Sequence, residues 1–212
     1  MNVGIINYGV GNLGSVYRAL ENLDVEPLLI TNPADIENCD SLILPGVGNF
    51  KECKNILDNK GWTTQIKEAA LIKKKPILGI CLGMQLLADY GYEGVLDNNS
   101  PTPGLGLISG EVVQMKSFGC KERVPHMGWN SIKITRKSNF LDEIVDDTDF
   151  YFVHSYFFSV TNESDIHAIT DYSIIFPAIV GKDNIWGTQF HPEKSSKAGF
   201  KILKNFIKLS KC

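Results

Sequence analysis

The chain predicts an α/β fold: a doubly wound, mostly parallel sheet flanked by helices, with antiparallel strands added in the C-terminal half. Two observations predict it. Over roughly the first 90 residues, short apolar runs alternate with stretches of helical periodicity, which requires parallel strands covered on both faces. From Val112 onward, strand-like runs follow one another without helices between them, as antiparallel strands do.

Val3-Gly4-Ile5-Ile6 reads as a short buried strand. Asn7 to Asn12 is a glycine-bearing loop, after which Leu13, Val16, Leu20 and Leu23 recur at helical spacing. Pro27 to Ile30 is the second strand. Asn32-Pro33 then opens a short turn or helix, with Asn32 as N-cap and Pro33 at its first position. Ser41 to Leu44 is the third strand, broken by Pro45-Gly46-Val47-Gly48. Phe50, Cys53, Ile56 and Leu57 mark one helix, and a patchier one runs from about Thr63 to Ile72. Pro76 to Ile80 is the fourth strand, and a helical pattern restarts with Met84, Leu86 and Leu87. Asp97 to Gly110, rich in Asn, Ser, Pro and Gly, reads as loop. The later strand-like runs are Val112-Val113, Ile132 to Ile134, Phe150 to Val153, Ile166 to Thr170, Ile174 to Val180 and Ile185 to Phe190. A last helix, from about Lys194 to Leu209, shows Ala198, Ile202, Phe206 and Leu209 at helical spacing.

With no repeat, low-complexity tract or linker, residues 1–212 read as a single domain. Apolar content of 43% and charged content of 21% suit an ordinary globular chain. A net charge of −3 gives no electrostatic reason to expect nucleic acid or an anionic membrane as partner. The five cysteines (Cys39, Cys53, Cys81, Cys120, Cys212) are odd in number and widely spaced. That argues against a disulfide framework and a metal site, and suits a reducing compartment. No leader pattern and no long apolar span is present, so the expected location is cytoplasmic.

Gly79-Ile80-Cys81-Leu82-Gly83 is the cysteine counterpart of the Gly-x-Ser-x-Gly nucleophile elbow, whose turn is so sharp that neighbouring side chains must be nearly absent. A cysteine there also faces a helix N-terminus, which favours the thiolate. A thiolate nucleophile needs a base and something to orient that base. His191-Pro192-Glu193 supplies both, because residues i and i+2 of an extended segment project to one side and Pro192 biases His191 away from helix. The glycines of Pro45 to Gly48 allow a backbone N–H to be aimed inward as an oxyanion donor. All three pieces sit just past predicted strand ends, where open α/β sheets place their sites.

These residues carry a family resemblance. The elbow with Met84-Gln85, together with His191-Pro192-Glu193, resembles the class I (triad) glutamine amidotransferase domain, a flavodoxin-like fold. Tyr8 to Leu13, Pro45 to Gly48, Val124-Pro125-His126-Met127-Gly128-Trp129-Asn130, Tyr151 to Tyr156 and Gly187 to Ser195 narrow it, in order along nearly the whole chain, to glutaminase subunits of imidazole glycerol phosphate synthases. The resemblance implies that Cys81 is the nucleophile, His191 the acid/base and Glu193 its orienter. It implies an oxyanion hole from the N–H groups of Val47 and Leu82, and Gly48, Gln85 and Ser155 as glutamine-holding residues. Asn12, Trp129, Tyr151 and Lys194 match positions of the subunit contact. The implied substrate is L-glutamine, with no cofactor and no metal. The implied partner is a (β/α)8 barrel cyclase/synthase subunit of the HisF type, forming a heterodimer and taking ammonia to make imidazole glycerol phosphate and AICAR. His126 and His167 are given no catalytic role, and for His154 a structural and a functional role weigh equally.

Many relatives carry Asp at the position of Asn7 and Arg at that of Gly14. Two further readings stay open, the first because both residues flank the contact loop. One is a paralogue supplying ammonia for sugar-nucleotide amidation in surface polysaccharide synthesis. The other is a stand-alone cysteine hydrolase, in which Trp129 and Tyr151 would be core aromatics and Lys194 a solvated helix start.

Overall fold

The structure, a computed structural model, describes residues 1–95 and 100–210. Residues 97–99 of the predicted loop, and Cys212, lie outside them. The first half runs β1 (Val3–Ile6), α1 (Leu13–Glu21), β2 (Pro27–Ile30), β3 (Ser41–Gly46), α2 (Phe50–Asn59), α3 (Trp62–Leu71), β4 (Ile77–Cys81) and α4 (Leu82–Gln85). A 3-10 turn, Pro33–Asn38, follows β2, with Asn32 accepting the Ala34 N–H at its start. The second half runs β5 (Tyr90–Gly91), β6 (Thr102–Pro103), β7 (Gly110–Gln114), β8 (His126–Ile134), β9 (Thr148–His154), β10 (Tyr156–Val160), β11 (Ile166–Asp171), β12 (Ile175–Lys182), β13 (Ile185–Thr188) and α5 (Ser196–Leu209).

Nine strands form the main sheet in the order β2-β1-β3-β4-β13-β12-β11-β8-β9. The first five pair in parallel and the rest are antiparallel, which is the predicted division. Alternation along the parallel strands makes two cores. Val3, Ile5, Ile43, Leu78 and Ile80 face α1 and α5. Ile6, Leu42, Leu44 and Ile77 face α2 and α3, around Phe50, Leu57, Trp62 and Ile66. The carboxyl ends of β1, β3, β4 and β13 therefore lie along one edge, as the topology requires.

Several elements depart from expectation. A four-stranded sheet, β10-β7-β5-β6, was not foreseen. Two of its strands have two residues each, too few to show a period, and Tyr156–Val160 finds its partner far back in the chain at Gly110–Gln114. The loop expected from Asp97 to Gly110 contributes Thr102–Pro103 and Gly110 to that sheet. The helix expected after the elbow is a single turn, Leu82–Gln85. The carbonyls of Leu86, Leu87 and Ala88 are taken instead by the N–H groups of residues 105–108. Met84, Leu86 and Leu87 are apolar because the core surrounds them on every side. At the C-terminal end, Lys194 closes a 3-10 turn, Pro192–Lys194, and α5 begins at Ser196.

Candidate active site

Cys81 is the last residue of β4 rather than the first beyond it, with φ 55° and ψ −108°. A side chain held at such a backbone angle costs about 1–3 kcal/mol and marks a geometry enforced by its surroundings. The glycines on either side show the enforcement. A Cβ on Gly83 would stand 1.8 Å from the Leu44 carbonyl oxygen, and one on Gly79 2.5 Å from that of Gly83. The elbow is thus pressed directly onto β3, and no larger residue fits at either position. Since α4 is only one turn long, the dipole it directs at Cys81 is small.

His191 stands three residues past β13, not immediately after it, with Gln189 still donating its N–H to the Ala178 carbonyl of β12 at 2.9 Å. Its imidazole Nδ1 lies 2.8 Å from Oε1 of Glu193, and both side chains are almost completely buried. The carboxylate can only accept, so Nδ1 carries the proton and Nε2 is the working nitrogen. That Nε2 is buried and, among the described residues, has no partner beyond the neighbouring Cys81 sulfur. An imidazole with one face committed and the other open is arranged for proton transfer rather than for structure. Burial opposes its positive charge, but the Cys81 sulfur and the Glu193 carboxylate outweigh that and push its pKa up to about 10.

The loop bearing His191 is tied to β9. The His191 N–H donates to the Tyr151 carbonyl at 2.9 Å, and the Tyr151 N–H to Ser195 Oγ at 3.0 Å. Ser195 Oγ in turn donates to the His191 carbonyl at 2.6 Å. On the other side, the Val47 carbonyl accepts from the Cys53 thiol at 3.5 Å, and Gly48 holds φ +97°.

A cavity of about 270 Å³ is lined by Val47, Gly48, Cys81, Leu82, Gln85, Ser155 and His191, all expected from sequence. It also brings in Glu93, Val153, His154 and Tyr156. Glu93 had no sequence signal: it follows the elbow by an irregular stretch and is carried in by its bond to the Phe50 N–H at 2.9 Å. Burial pushes the pKa of this carboxyl up. A larger cavity, about 580 Å³, lies between Ile134 and Asp146 but holds none of these groups, so chemistry rather than size identifies the site.

His154 is buried at the edge of the cavity and belongs to a fixed chain of donors. Its Nδ1 lies 2.8 Å from the Tyr156 carbonyl and its Nε2 3.1 Å from His126 Nδ1. The carbonyl accepts only, so His154 donates through Nδ1, His126 through its own Nδ1, and Asn130 completes the chain at His126 Nε2. Burial holds both rings neutral, the pKa of His126 pushed down to about 4 and that of His154 to about 3.

Of the four residues expected at a subunit contact, Trp129, Tyr151 and Lys194 lie against one another. Trp129 is 55% exposed and meets Tyr151 edge-to-face at 6.1 Å. Lys194 Nζ lies 5.9 Å over the Tyr151 ring. Asn12 is half-buried at the start of α1, which packs against the Pro192–Lys194 turn. Trp129 is therefore not a core aromatic, and with exposed Met127 it leaves an apolar face open beside the site. Asn7 accepts the Gly9 N–H at 3.1 Å, a bond that Asp would also make, and Gly14 is exposed on α1. Among the described residues, no helix is long and apolar enough to cross a membrane.

The family model for class-I glutamine amidotransferases matches residues 4–209. A chain of Campylobacter jejuni (strain RM1221), named imidazole glycerol phosphate synthase subunit HisH 1, is 44% identical over 207 residues, 98% of this chain and 100% of that protein. A HisH subunit of the same synthase from Geobacillus sp. (strain WCH70) is 44% identical over 210 residues, 98% of this chain and 96% of that one. Among solved structures, a glutamine amidotransferase matches with a TM-score of 0.77 at 18% identity, covering 99% of both chains. PurLQS from Thermotoga maritima matches with a TM-score of 0.75 at 18% identity over 98% of both. The two structures speak for the fold alone.

Proposed function

The chain belongs to the class-I glutamine amidotransferase family, and from that premise we propose that it hydrolyses L-glutamine at Cys81, His191 and Glu193 and passes the ammonia to a (β/α)8 barrel synthase subunit, HisF-like, in a heterodimer. The observation that carries this reading is one cavity holding a strained elbow cysteine and an imidazole whose Nδ1 is committed to a buried carboxylate while Nε2 stays open.

The chemistry follows from these groups. The Cys81 thiolate attacks the side-chain amide carbon of glutamine, forming a C–S bond and an oxyanion. The Val47 and Leu82 N–H groups receive that oxyanion, a role worth about 10²–10³ in rate per donor. His191, protonated, gives its proton from Nε2 to the leaving nitrogen, and the C–N bond breaks to release ammonia and leave a thioester. Water then attacks the thioester, giving a proton back to His191, and the C–S bond breaks to regenerate thiolate and release glutamate. Glu193 keeps the ring in the tautomer both steps need. Glu93 holds the α-ammonium of the substrate, while Gly48, Gln85 and Ser155 position the rest.

Ammonia released into bulk water would be protonated and lose its nucleophilicity. Exposed Met127, Trp129 and Lys194, with half-buried Tyr151 between Trp129 and Lys194, support a partner docked beside the site to receive it. By this reading the partner makes imidazole glycerol phosphate, as the names of the relatives indicate for their own synthase, with AICAR as the second product. The test is to incubate the chain with a barrel subunit of such a synthase, its nucleotide substrate and glutamine. Glutamate and imidazole glycerol phosphate formed in equal amounts support the proposal. Glutamate without the second product shows hydrolysis uncoupled from that synthase and sends the chain to another acceptor.

A further inference from the structure

The nucleophile has a neighbour that the reaction above does not use. Gln189 is completely buried, and its Nε2 lies 3.8 Å from Cys81 Sγ. Its Oε1 accepts from Gln85 Nε2 at 3.0 Å, and Gln85 Nε2 donates also to the Tyr156 carbonyl at 2.8 Å.

These bonds decide which way both amides point. The Tyr156 carbonyl can only accept, so the Gln85 atom beside it must be the NH₂ nitrogen. The Gln189 atom facing that nitrogen must then be its carbonyl oxygen. The end of Gln189 turned toward the sulfur is therefore its NH₂ group, and it cannot flip without breaking the bond to Gln85. The sulfur also lies 3.8 Å from the Val153 carbonyl. That oxygen suits a thiol, which can donate to it, and repels a thiolate. A fixed donor beside the sulfur offsets that carbonyl and stabilises the charged form of the nucleophile.

We propose that Gln189 is a further catalytic residue, an amide that donates a hydrogen bond to Cys81 Sγ and stabilises its thiolate while Gln85 holds that amide in place. The inference rests on Cys81 being the nucleophile. Part of the thiolate's stabilisation then comes from a side chain on the β13 loop, two residues from His191, rather than from the one-turn α4. Placing donor and base on one short segment keeps both aligned with the sulfur.

The test is the pH dependence of Cys81 alkylation by iodoacetamide in the full chain, followed at the Cys81 peptide by mass spectrometry. Wild type is compared with Gln189→Met, which removes the donor at similar volume, and Gln189→Glu, which replaces it with an acceptor. The expected result is a midpoint raised by about one pH unit in Gln189→Met and further in Gln189→Glu. In the complex, kcat for glutamine should fall about ten- to hundredfold with KM largely unchanged. A structural role alone would lower the melting temperature and the active fraction but leave the midpoint in place. An unmoved midpoint in whichever variant folds overturns the proposal. A wild type whose Cys81 reacts no faster near neutrality than its other cysteines sinks the nucleophile assignment as well, so the two failures are distinguishable.

Discussion

His191 combines three properties that rarely coincide: nearly complete burial, a carboxylate at 2.8 Å on one nitrogen, and on the other no partner beyond the Cys81 sulfur. His191→Ala removes the only proton carrier in the proposed scheme, and glutaminase turnover should become nearly undetectable. Glu193→Gln keeps a hydrogen-bonding group beside Nδ1 but loses the charge that stabilises imidazolium, and should lower kcat by a smaller factor. Steady-state glutamate release measures both, and wild-type turnover in His191→Ala would remove it from the mechanism. The triad was legible in the sequence because each member sits in a short motif with its own backbone logic, a glycine elbow and a His-Pro-Glu turn. Glu93, Gln189 and the His126–His154 pair were not. Their placement depends on the bonds of Glu93 to Phe50, of Gln189 to Gln85 and of His126 to His154, and no local pattern announces a partner dozens of residues away.

Between residue and fold, two elements hold the site in position: the Val47–Gly48 turn that follows β3, whose last residues are Pro45 and Gly46, and the β8–β9 hairpin. Gly48 has φ +97° and no atom within 4 Å of an added Cβ, so a substitution there meets open space but a backbone angle it cannot keep. Gly48→Val should leave the melting temperature within a few degrees and lower kcat in the complex by about 10²-fold, through loss of an oxyanion donor. A large stability loss with normal turnover per folded molecule would contradict that role for the loop. The hairpin carries the buried neutral pair His126–His154, whose folded pKa values of about 4 and about 3 lie below the unfolded value near 6.5. The unfolded chain binds more protons in this window, so stability is full above pH ~6.5 and declines as pH falls toward the folded values. His126→Phe keeps an aromatic ring against Tyr172 and Phe152, at 4.0 and 4.9 Å, and removes one titrating group. Its melting temperature should fall less steeply than that of wild type between pH 7 and 5, and identical slopes would place the acid sensitivity elsewhere. At this scale the parallel strands were readable because each is an apolar run bounded by turn residues. The second sheet was not, since β5 and β6 are too short to show alternation and β10 pairs with a strand more than 40 residues earlier.

Across the whole molecule, the sheet brings four strand ends to one edge and leaves Trp129 and Lys194 exposed and Tyr151 half-buried beside them. The Tyr151 backbone bonds both to His191 and to Ser195, so a partner seated on the Tyr151 ring presses on the segment that positions the base. The chain alone should therefore hydrolyse glutamine slowly, and partner plus its ligand should raise turnover by at least about 10²-fold, the worth of one properly placed donor. Trp129→Ala should weaken complex formation without changing the fold, as read by titration and circular dichroism. Full activity in the isolated chain would favour the free-hydrolase reading. The division between a parallel first half and an antiparallel second half was legible because it rests on the order of elements, whereas the exposure of Trp129 was not, since an aromatic in a strand is as often core as surface. The central claim is that Cys81 makes ammonia for chemistry performed elsewhere. It is tested most directly by measuring imidazole glycerol phosphate formation in the assembled complex with glutamine and, separately, with ammonium salts, for wild type and Cys81→Ser. The account predicts that the variant loses the glutamine-dependent reaction and keeps the ammonium-dependent one. Equal loss with both nitrogen sources, or retention with both, would contradict it.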